Sequence, residues 1–259
     1  MIARLYKMQC LTNLHMGAGG GSYSIIDNEV EKDHNGYPIM HASGIKGALR
    51  DSVSDNEIAT YIFGRAANKD GDDTKGHYIF TDGCMLARTM RVCGNQSFAS
   101  LPTTTPEMLR HFLQLTEAFG CCPVSNAQLP EKDREWGFGN NNFLCNVPDA
   151  RIEDEPTGKF IDNGNLNDLL QALIGPHFAI ARQLGDDYPL PTVARNCLGE
   201  DKNLWYEEFV PYGSRFYTII LTPNDEKNIQ LDFSAPLQFG ANASIGRGFI
   251  SISEWERKD

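Results

Sequence analysis

The 259-residue sequence is short of positive charge, with 23 Lys and Arg against 34 Asp and Glu and a formal net charge of −11. Affinity for a nucleic-acid backbone comes largely from Lys and Arg set against phosphates, so indiscriminate nucleic-acid binding is excluded and any such contact must come from local basic patches. No run approaches the roughly 18 apolar residues of a membrane span. The opening MIARLYKMQCL lacks both the basic segment and the long apolar stretch of a secretion signal, so the expectation is a soluble, cytoplasmic protein with no membrane partner. Seven cysteines form an odd set without even spacing, with one vicinal pair at Cys121 and Cys122, which reads as reduced thiols and not as a disulfide framework. Cys84, Cys93 and His77 lack zinc-ligand spacing, and the vicinal pair has no C-x-x-C partner. Neither G-x-x-x-x-G-K-[ST] nor G-x-G-x-x-G occurs, which disfavours a P-loop ATPase or a dinucleotide-binding enzyme. No Ser, His and Asp order supports a hydrolase triad.

The composition that remains, 41% hydrophobic and 10% aromatic, is enough to bury one large core or two small ones. Loose alternation predicts a half-buried strand over Ile2 to Leu14. Tyr37 to Met40 reads as a short strand leading to Ser43, a candidate N-cap for a helix from about Gly44 to Val53. Asp55 to Gly64 is a second short helix, and Asn68 to Gly76 a polar loop. His77 to Arg91 reads as strand, turn at Asp82 and Gly83, then strand. Thr105 to Phe119 has helical spacing with Pro106 near its start. Asn163 to Leu184 is predicted as another helix, with Leu166, Leu169, Leu170, Leu173 and Ile174 on one face and Pro176 interrupting it. Pro189 to Tyr217 has apolar flanks around the polar centre Gly199 to Asn203, the pattern of a long projecting hairpin. Thr218 to Leu221 and then GANASIGRGFISI supply further strands around a second glycine turn.

The richest stretch runs from His15 to Arg50. Glycine at Gly17, Gly19, Gly20 and Gly21 permits close backbone approach to a phosphate, and a helix N-terminus at Ser43 favours anions. By itself the loop reads either as a flexible turn or as a ligand loop. Gly44 and Gly47 each cost roughly 1 kcal/mol relative to alanine inside a helix, so something is expected to approach them, another strand included. Lys46 and Arg50, four apart, form either a basic ledge for a phosphodiester or a solvated face. Gly246, Arg247 and Gly248 form a tight turn that either presents Arg247 to RNA or simply reverses a hairpin. Asp27 is either one loop carboxylate among several or a participant in RNA strand cleavage, holding hydrated Mg²⁺ beside a phosphate or orienting a ribose 2′-OH. An ordinary aspartate, with a pKa near ~3.9, is a poor base at neutral pH, which favours the metal role. His15 has the unperturbed pKa, ~6.5, for proton transfer, although most lone histidines are structural.

Taken together, HMGAGGGSYSIID, GYPIMHASGIKGALRD, IFG at Ile62 to Gly64, PTVARN followed by NLWYEE, and NASIGRGF resemble the RAMP superfamily of CRISPR proteins over the whole chain. The pairing of PTVARN with NLWYEE is the more specific signal and resembles the repeated backbone subunit of type III-B (Cmr) effector complexes. The resemblance implies an α+β fold: a single RAMP domain over residues 1–259, built as a modified ferredoxin-like palm of the RNA-recognition-motif type with helical insertions. It also implies a projecting β-hairpin thumb at about 190–215. Partners implied are a guide CRISPR RNA, a single-stranded target RNA, copies of the same chain in a helical filament and other subunits of the complex.

By motif position the resemblance makes Asp27 the cleavage residue, with His15 beside it and Mg²⁺ as cofactor at Asp27. Gly17, Gly19, Ser43, Lys46, Arg50 and Arg247 fall near guide RNA. Asn203, Trp205, Tyr206, Glu207 and Glu208 belong to the thumb near the target strand, with the two aromatics either stacking on bases or packing on the palm and the two acids either helping at the target or closing the hairpin. The implied reaction is attack of a 2′-OH on its own phosphodiester. The acidic balance requires segregated positive charge, for which Arg4, Lys7, Lys46, Arg50, Arg88, Arg91, Arg195 and Arg247 are the candidates. Alternatives are a non-catalytic guide-binding filament subunit, a guide-processing ribonuclease that uses His15, and an unrelated metabolite-binding α/β domain.

Overall fold

A computed structural model describes residues 1–19, 25–65, 74–94, 97–124, 128–161, 165–197, 203–224 and 229–255. Strand β1 (Ile2–Cys10) opens the chain, and β2 (Ile39–Met40) leads into helices α1 (Ala42–Ser52) and α2 (Asn56–Phe63). The short strands β3 (Gly64–Arg65), β4 (Thr74–Lys75) and β5 (Ile79–Phe80) precede the long β6 (Gly83–Cys93) and β7 (Ser100–Thr104). A second helical segment follows with α3 (Pro106–Ala118), β8 (Phe143–Cys145), β9 (Arg151–Ile152), β10 (Glu155–Lys159), α4 (Asn165–Ile174) and β11 (Ala179–Ala181). The hairpin β12 (Thr192–Cys197) and β13 (Asn203–Glu208) is a separate two-stranded sheet, after which β14 (Arg215–Thr222), β15 (Leu237–Gln238) and β16 (Phe249–Glu254) return to the main one.

The main sheet runs β16, β1, β14, β6, β7 through its centre. Alternation along β1 divides the core in two. Tyr6, Met8 and Cys10 pack with Ile45, Leu49, Ile62 and Phe63 of α1 and α2, whereas Leu5 faces Leu109 and Phe112 of α3 and Leu169, Leu170 and Leu173 of α4. Each such buried side chain is worth roughly 1.5–3 kcal/mol relative to exposure, so helices on both faces hold the sheet between them. Against β14, β6 carries one extra residue: Arg215 sits opposite Ala87 and Phe216 opposite Met85. The slip reverses the face parity of β6, so that Leu86 and Ala87 both reach the α3 and α4 side while Met85, Met90 and Val92 reach the other.

Most expected elements form where the pattern put them. Asp55 caps α2 by accepting the N–H groups of Glu57 and Ile58 at 2.8 and 3.0 Å, and Thr105 caps α3 ahead of Pro106. Two expectations change. Ser43 is not a cap: α1 begins at Ala42, whose N–H donates to the Asp82 carboxylate at 2.6 Å, so a residue forty positions away supplies the acceptor and Ser43 lies exposed in the first turn. The helix predicted to reach Leu184 stops at Ile174, because Gly175 takes a φ of +95° and Pro176 cannot continue the ladder; Ala179–Ala181 is instead a strand parallel to β7. The strands expected on either side of Asp82 form as β5 and β6, and β5 pairs with β14. The two strands expected around the second glycine turn form as β14 and β16, with the short β15 and a 3-10 turn at Ala243–Ile245 between them. Asn68 to Asp73 and the hairpin tip from Leu198 to Lys202 lie outside the described residues, as do Gly20 and Gly21. No helix among the described residues is long and apolar enough to cross a membrane.

Candidate functional site

Asp27 stands exposed on the segment between the glycine loop and β2, and the root of the hairpin holds it there. Its Oδ2 accepts the backbone N–H of Tyr206 at 2.7 Å. Next to it, Asn28 donates its N–H to the Tyr206 carbonyl at 3.1 Å and accepts the Glu208 N–H at 2.9 Å. A carboxylate on an otherwise long connection is thereby registered against β13, the strand that carries NLWYEE. Sequence reading brought Asp27 and this motif forward separately; the fold brings them into contact.

Glu207 and Glu208 turn inward and are only 3% and 2% exposed. Glu207 accepts from Arg247 Nη1 at 2.6 Å, Asn242 Nδ2 at 3.0 Å and Arg195 Nη1 at 3.4 Å. Glu208 accepts the Val30 N–H at 3.0 Å and pairs with Lys32 Nζ at 3.0 Å. Both acids therefore close the root of the hairpin: Glu207 ties it to the Asn242–Gly248 turn, and Glu208 ties it to the segment that continues from Asp27. Of the two aromatics, Trp205 is half-buried with the Arg195 guanidinium 5.8 Å from its ring centre, while Tyr206 and its neighbour Leu204 are exposed, as is Asn203.

His15 is buried, with Nδ1 2.8 Å from the Glu208 carbonyl, so Nδ1 carries the hydrogen and the ring brackets the loop to the hairpin. The sequence reading gave His15 a part in proton transfer, and in the fold its Nδ1 is engaged with the Glu208 carbonyl. Arg247 is also engaged internally, with Glu207 and with the face of Phe209 at 5.3 Å. Arg50 donates to the Gly64 carbonyl beyond the end of α1, which leaves Lys46 as the cation of the expected ledge that has no hydrogen bond among the described residues.

Gly17, Ser43 and Gly44 do converge: with His41, Met40 and Gly240 they line an open cleft of about 270 Å³ beside the start of α1. Among the described residues nothing lies within 4 Å of where side chains at Gly44 and Gly47 would begin, so no described strand accounts for these glycines. Gly19 adopts a φ of +75° in open space. Of the eight cations expected to segregate, four pair with carboxylates and one is buried against a carbonyl. Arg4 pairs with Glu254, Arg91 with Asp154, and Arg195 and Arg247 with Glu207, while Arg88 is buried against the Tyr188 carbonyl, its pKa pulled down to about 10 by desolvation.

No three His, Cys, Asp or Glu side chains gather as a metal cage among the described residues. One exposed carboxylate suits Mg²⁺ only in the manner of an ion that keeps several waters and shares phosphate oxygens, which is a common mode for that cation. Sequence reading missed Asn242, Lys32 and Asp82. Asn242 alone carried a signal, since a non-glycine residue at a φ of +69° is most often Asn, and GANAS sits before a glycine turn.

A mixed sheet with antiparallel central strands, helices on both faces and a separate hairpin together define a class. Residues 7–251 match the RAMP superfamily, and the chain belongs to it. It is similar to the CRISPR system Cmr endoribonuclease Cmr4 of Pyrococcus furiosus, 25% identical with 98% of this chain and 96% of the relative covered, and to the CRISPR system CMR subunit Cmr4 of Saccharolobus solfataricus, 21% identical over 95% and 94%. In fold it matches a chain of type III-B Cmr-beta bound to cognate target RNA with a TM-score of 0.77 at 18% identity, over 98% of both chains. Oligomeric Cmr4 from Pyrococcus furiosus gives a TM-score of 0.72 at 20% identity, with both chains fully covered.

Proposed function

We propose that this chain is a guide-RNA-binding backbone subunit of a type III-B CRISPR effector complex and an endoribonuclease that cuts the paired target RNA at regular intervals, with Asp27 at the scissile phosphodiester. The observation that carries the reading is the 2.7 Å hydrogen bond from Tyr206 N–H to Asp27, which places an exposed carboxylate at the root of an exposed aromatic hairpin. The palm is read as ferredoxin-like from its strand order. Taking β1, β6, β14 and β16 as the four strands, they lie in the sheet as fourth, first, third, second. α1 and α2 fill the first crossover, α3 and α4 are insertions, and the second crossover holds a 3-10 turn among the described residues.

In this reading β12 and β13 are a thumb, and Leu204 and Tyr206 wedge into the guide–target duplex. Splaying one target nucleotide lets its 2′-OH approach the adjacent phosphorus in line, which stacked A-form geometry forbids, and such positioning supplies much of the rate. Cleavage leaves a cyclic phosphate and a 5′-hydroxyl. Asp27 would hold Mg²⁺ jointly with phosphate oxygens and water, and the ion when bound neutralises charge on the phosphate. The cleft at Gly17, Ser43 and Gly44, with Lys46 nearby, is where the guide backbone fits, since glycine N–H groups and a helix start favour anions. Copies of the chain stack along the guide beside other subunits, and the subunit acts in the cytoplasm. Burial of His15 against Glu208 weighs against the guide-processing alternative, which needs a free imidazole.

The test is reconstitution of the complex with guide and labelled target RNA in Mg²⁺, comparing wild type with Asp27→Ala. Target binding should persist while periodic cleavage falls by at least ~10²-fold, the scale of a lost transition-state contact. Undiminished cleavage removes Asp27 from the chemistry; loss of RNA binding assigns it to scaffolding.

A further inference from the structure

The sheet face beside α4 carries a polar cavity that shares no residue with the Asp27 loop or the hairpin. Lys7 and Gln9 on β1, Arg215 on β14, Ser251 and Ser253 on β16, and Gln171 on α4 line a pocket of about 200 Å³. The register explains why they meet: Gln9 is opposite Arg215 on one side and Ser251 on the other, and Lys7 is opposite Ser253. Paired residues, and residues two apart on one strand, share a face. Leu5, earlier on the same face of β1, is buried with Leu173 beneath the helices, so the pocket opens where the helical cover ends.

All six side chains carry hydrogen-bond donors, two are cations, and no carboxylate lines the pocket, in a chain with 34 Asp and Glu. Glu254, next to Ser253, falls on the other face and pairs with Arg4. Arg215 has no such partner: its Nη1 is buried without an acceptor among the described residues, and its guanidinium lies against Gly175, where even a Cβ would come within 3.5 Å. Burial without a counter-charge pulls Arg215 below the usual arginine range. Lys7 is held over the Trp255 ring at 5.9 Å. An arginine kept here without an acceptor is explained by a ligand that brings one.

We propose that this pocket is an oxyanion site that takes one phosphate-sized group, Arg215 gripping it through paired N–H donors and Lys7 acting as a point charge. Rotation of the guanidinium turns the orphaned Nη1 into the cavity, and the serine hydroxyls and glutamine amides complete the donor set. Free inorganic phosphate and a phosphodiester of RNA share this chemistry. The site stands independently of the cleavage reading, and its test does not use cleavage.

Isothermal titration of inorganic phosphate into the full chain should show one saturable site, weakened at least tenfold in Arg215→Gln and in Lys7→Gln. Lys7 is exposed, so the second variant keeps the test valid if the first fails to fold. Absence of a saturable site in the wild type, or unchanged affinity in Lys7→Gln, overturns the proposal. A short single-stranded RNA added to the phosphate-loaded protein identifies the source. Displacement of phosphate assigns the site to a phosphodiester and retention assigns it to free phosphate, and either result supports the site.

Discussion

Glu207 is a buried carboxylate that holds two guanidinium groups and an amide, and each of those partners belongs to a different segment from its own strand. Removing one member of a buried charged cluster leaves the others desolvated and unpaired, typically at a cost of about 3–5 kcal/mol. Both arginines keep some contact with solvent, at 25% and 15% side-chain exposure, so the lower end of that range is expected for Glu207→Ala. Urea unfolding would measure it, and the variant should also lose cleavage because the strand registering Asp27 is no longer anchored. The thiols make a second residue-scale prediction. Burial pushes Cys10 up to about 12 and Cys84 and Cys121 to about 11, well above an unfolded thiol near ~8.5. Between those values the unfolded chain has released protons that the folded chain retains, so stability is fully present below about pH 8.5 and is lost as pH rises through 11. The melting temperature should fall steadily from pH 9 to pH 11, while iodoacetamide at pH 8 should label Cys10, Cys84 and Cys121 slowly; rapid labelling would contradict the assigned burial.

Among the elements, the turn from Gly240 to Gly248 is the least tolerant of change. Gly248 has a φ of +77°, and a Cβ there would stand 1.9 Å from the Phe239 carbonyl oxygen; at Gly240 the figure is 2.2 Å from that of His15. Gly248→Ala combines a left-handed backbone with a backbone clash, so a loss of at least ~2 kcal/mol is expected, with Arg247 displaced from Glu207. Gly246, also at positive φ but with nothing within 4 Å, should cost only the backbone preference, about 1 kcal/mol as alanine. Thermal melts of the two variants side by side separate the clash from the conformational cost. The sequence marked this turn and the strands β14 and β16 on either side of it, but not the short β15. Glycine spacing reports where the chain reverses, whereas the placement of β15 at Leu237–Gln238 depends on pairing with β16 across the turn.

At the scale of the whole molecule, a net charge of −11 sets the terms for RNA. Arg4, Arg91, Arg110, Arg195 and Arg247 are held by carboxylates, which leaves the isolated chain fewer cations to exchange for counterions. RNA affinity of the isolated chain should therefore be weak and fall only shallowly with salt, with a log–log slope corresponding to about one or two phosphate contacts, and steepen in the assembled complex as copies add sites. Filter binding at several salt concentrations, before and after assembly, checks this; a slope as steep alone as in the complex would contradict it.

The sequence by itself determined the mixed α+β character, the helix starts capped by Asp55 and Thr105, the hairpin and its NLWYEE strand, and the prominence of Asp27, because each rests on local spacing or on a motif a few residues long. Tertiary structure alone decided that Asp82 caps α1, that Glu207 and Glu208 turn inward, that His15 and Arg247 hydrogen-bond to the hairpin strand, and that Arg4, Arg91, Arg195 and Arg247 pair with carboxylates. Those outcomes depend on which side chains meet across hundreds of positions, and in a chain rich in carboxylates that is settled by pairing within the folded core, which no local pattern records.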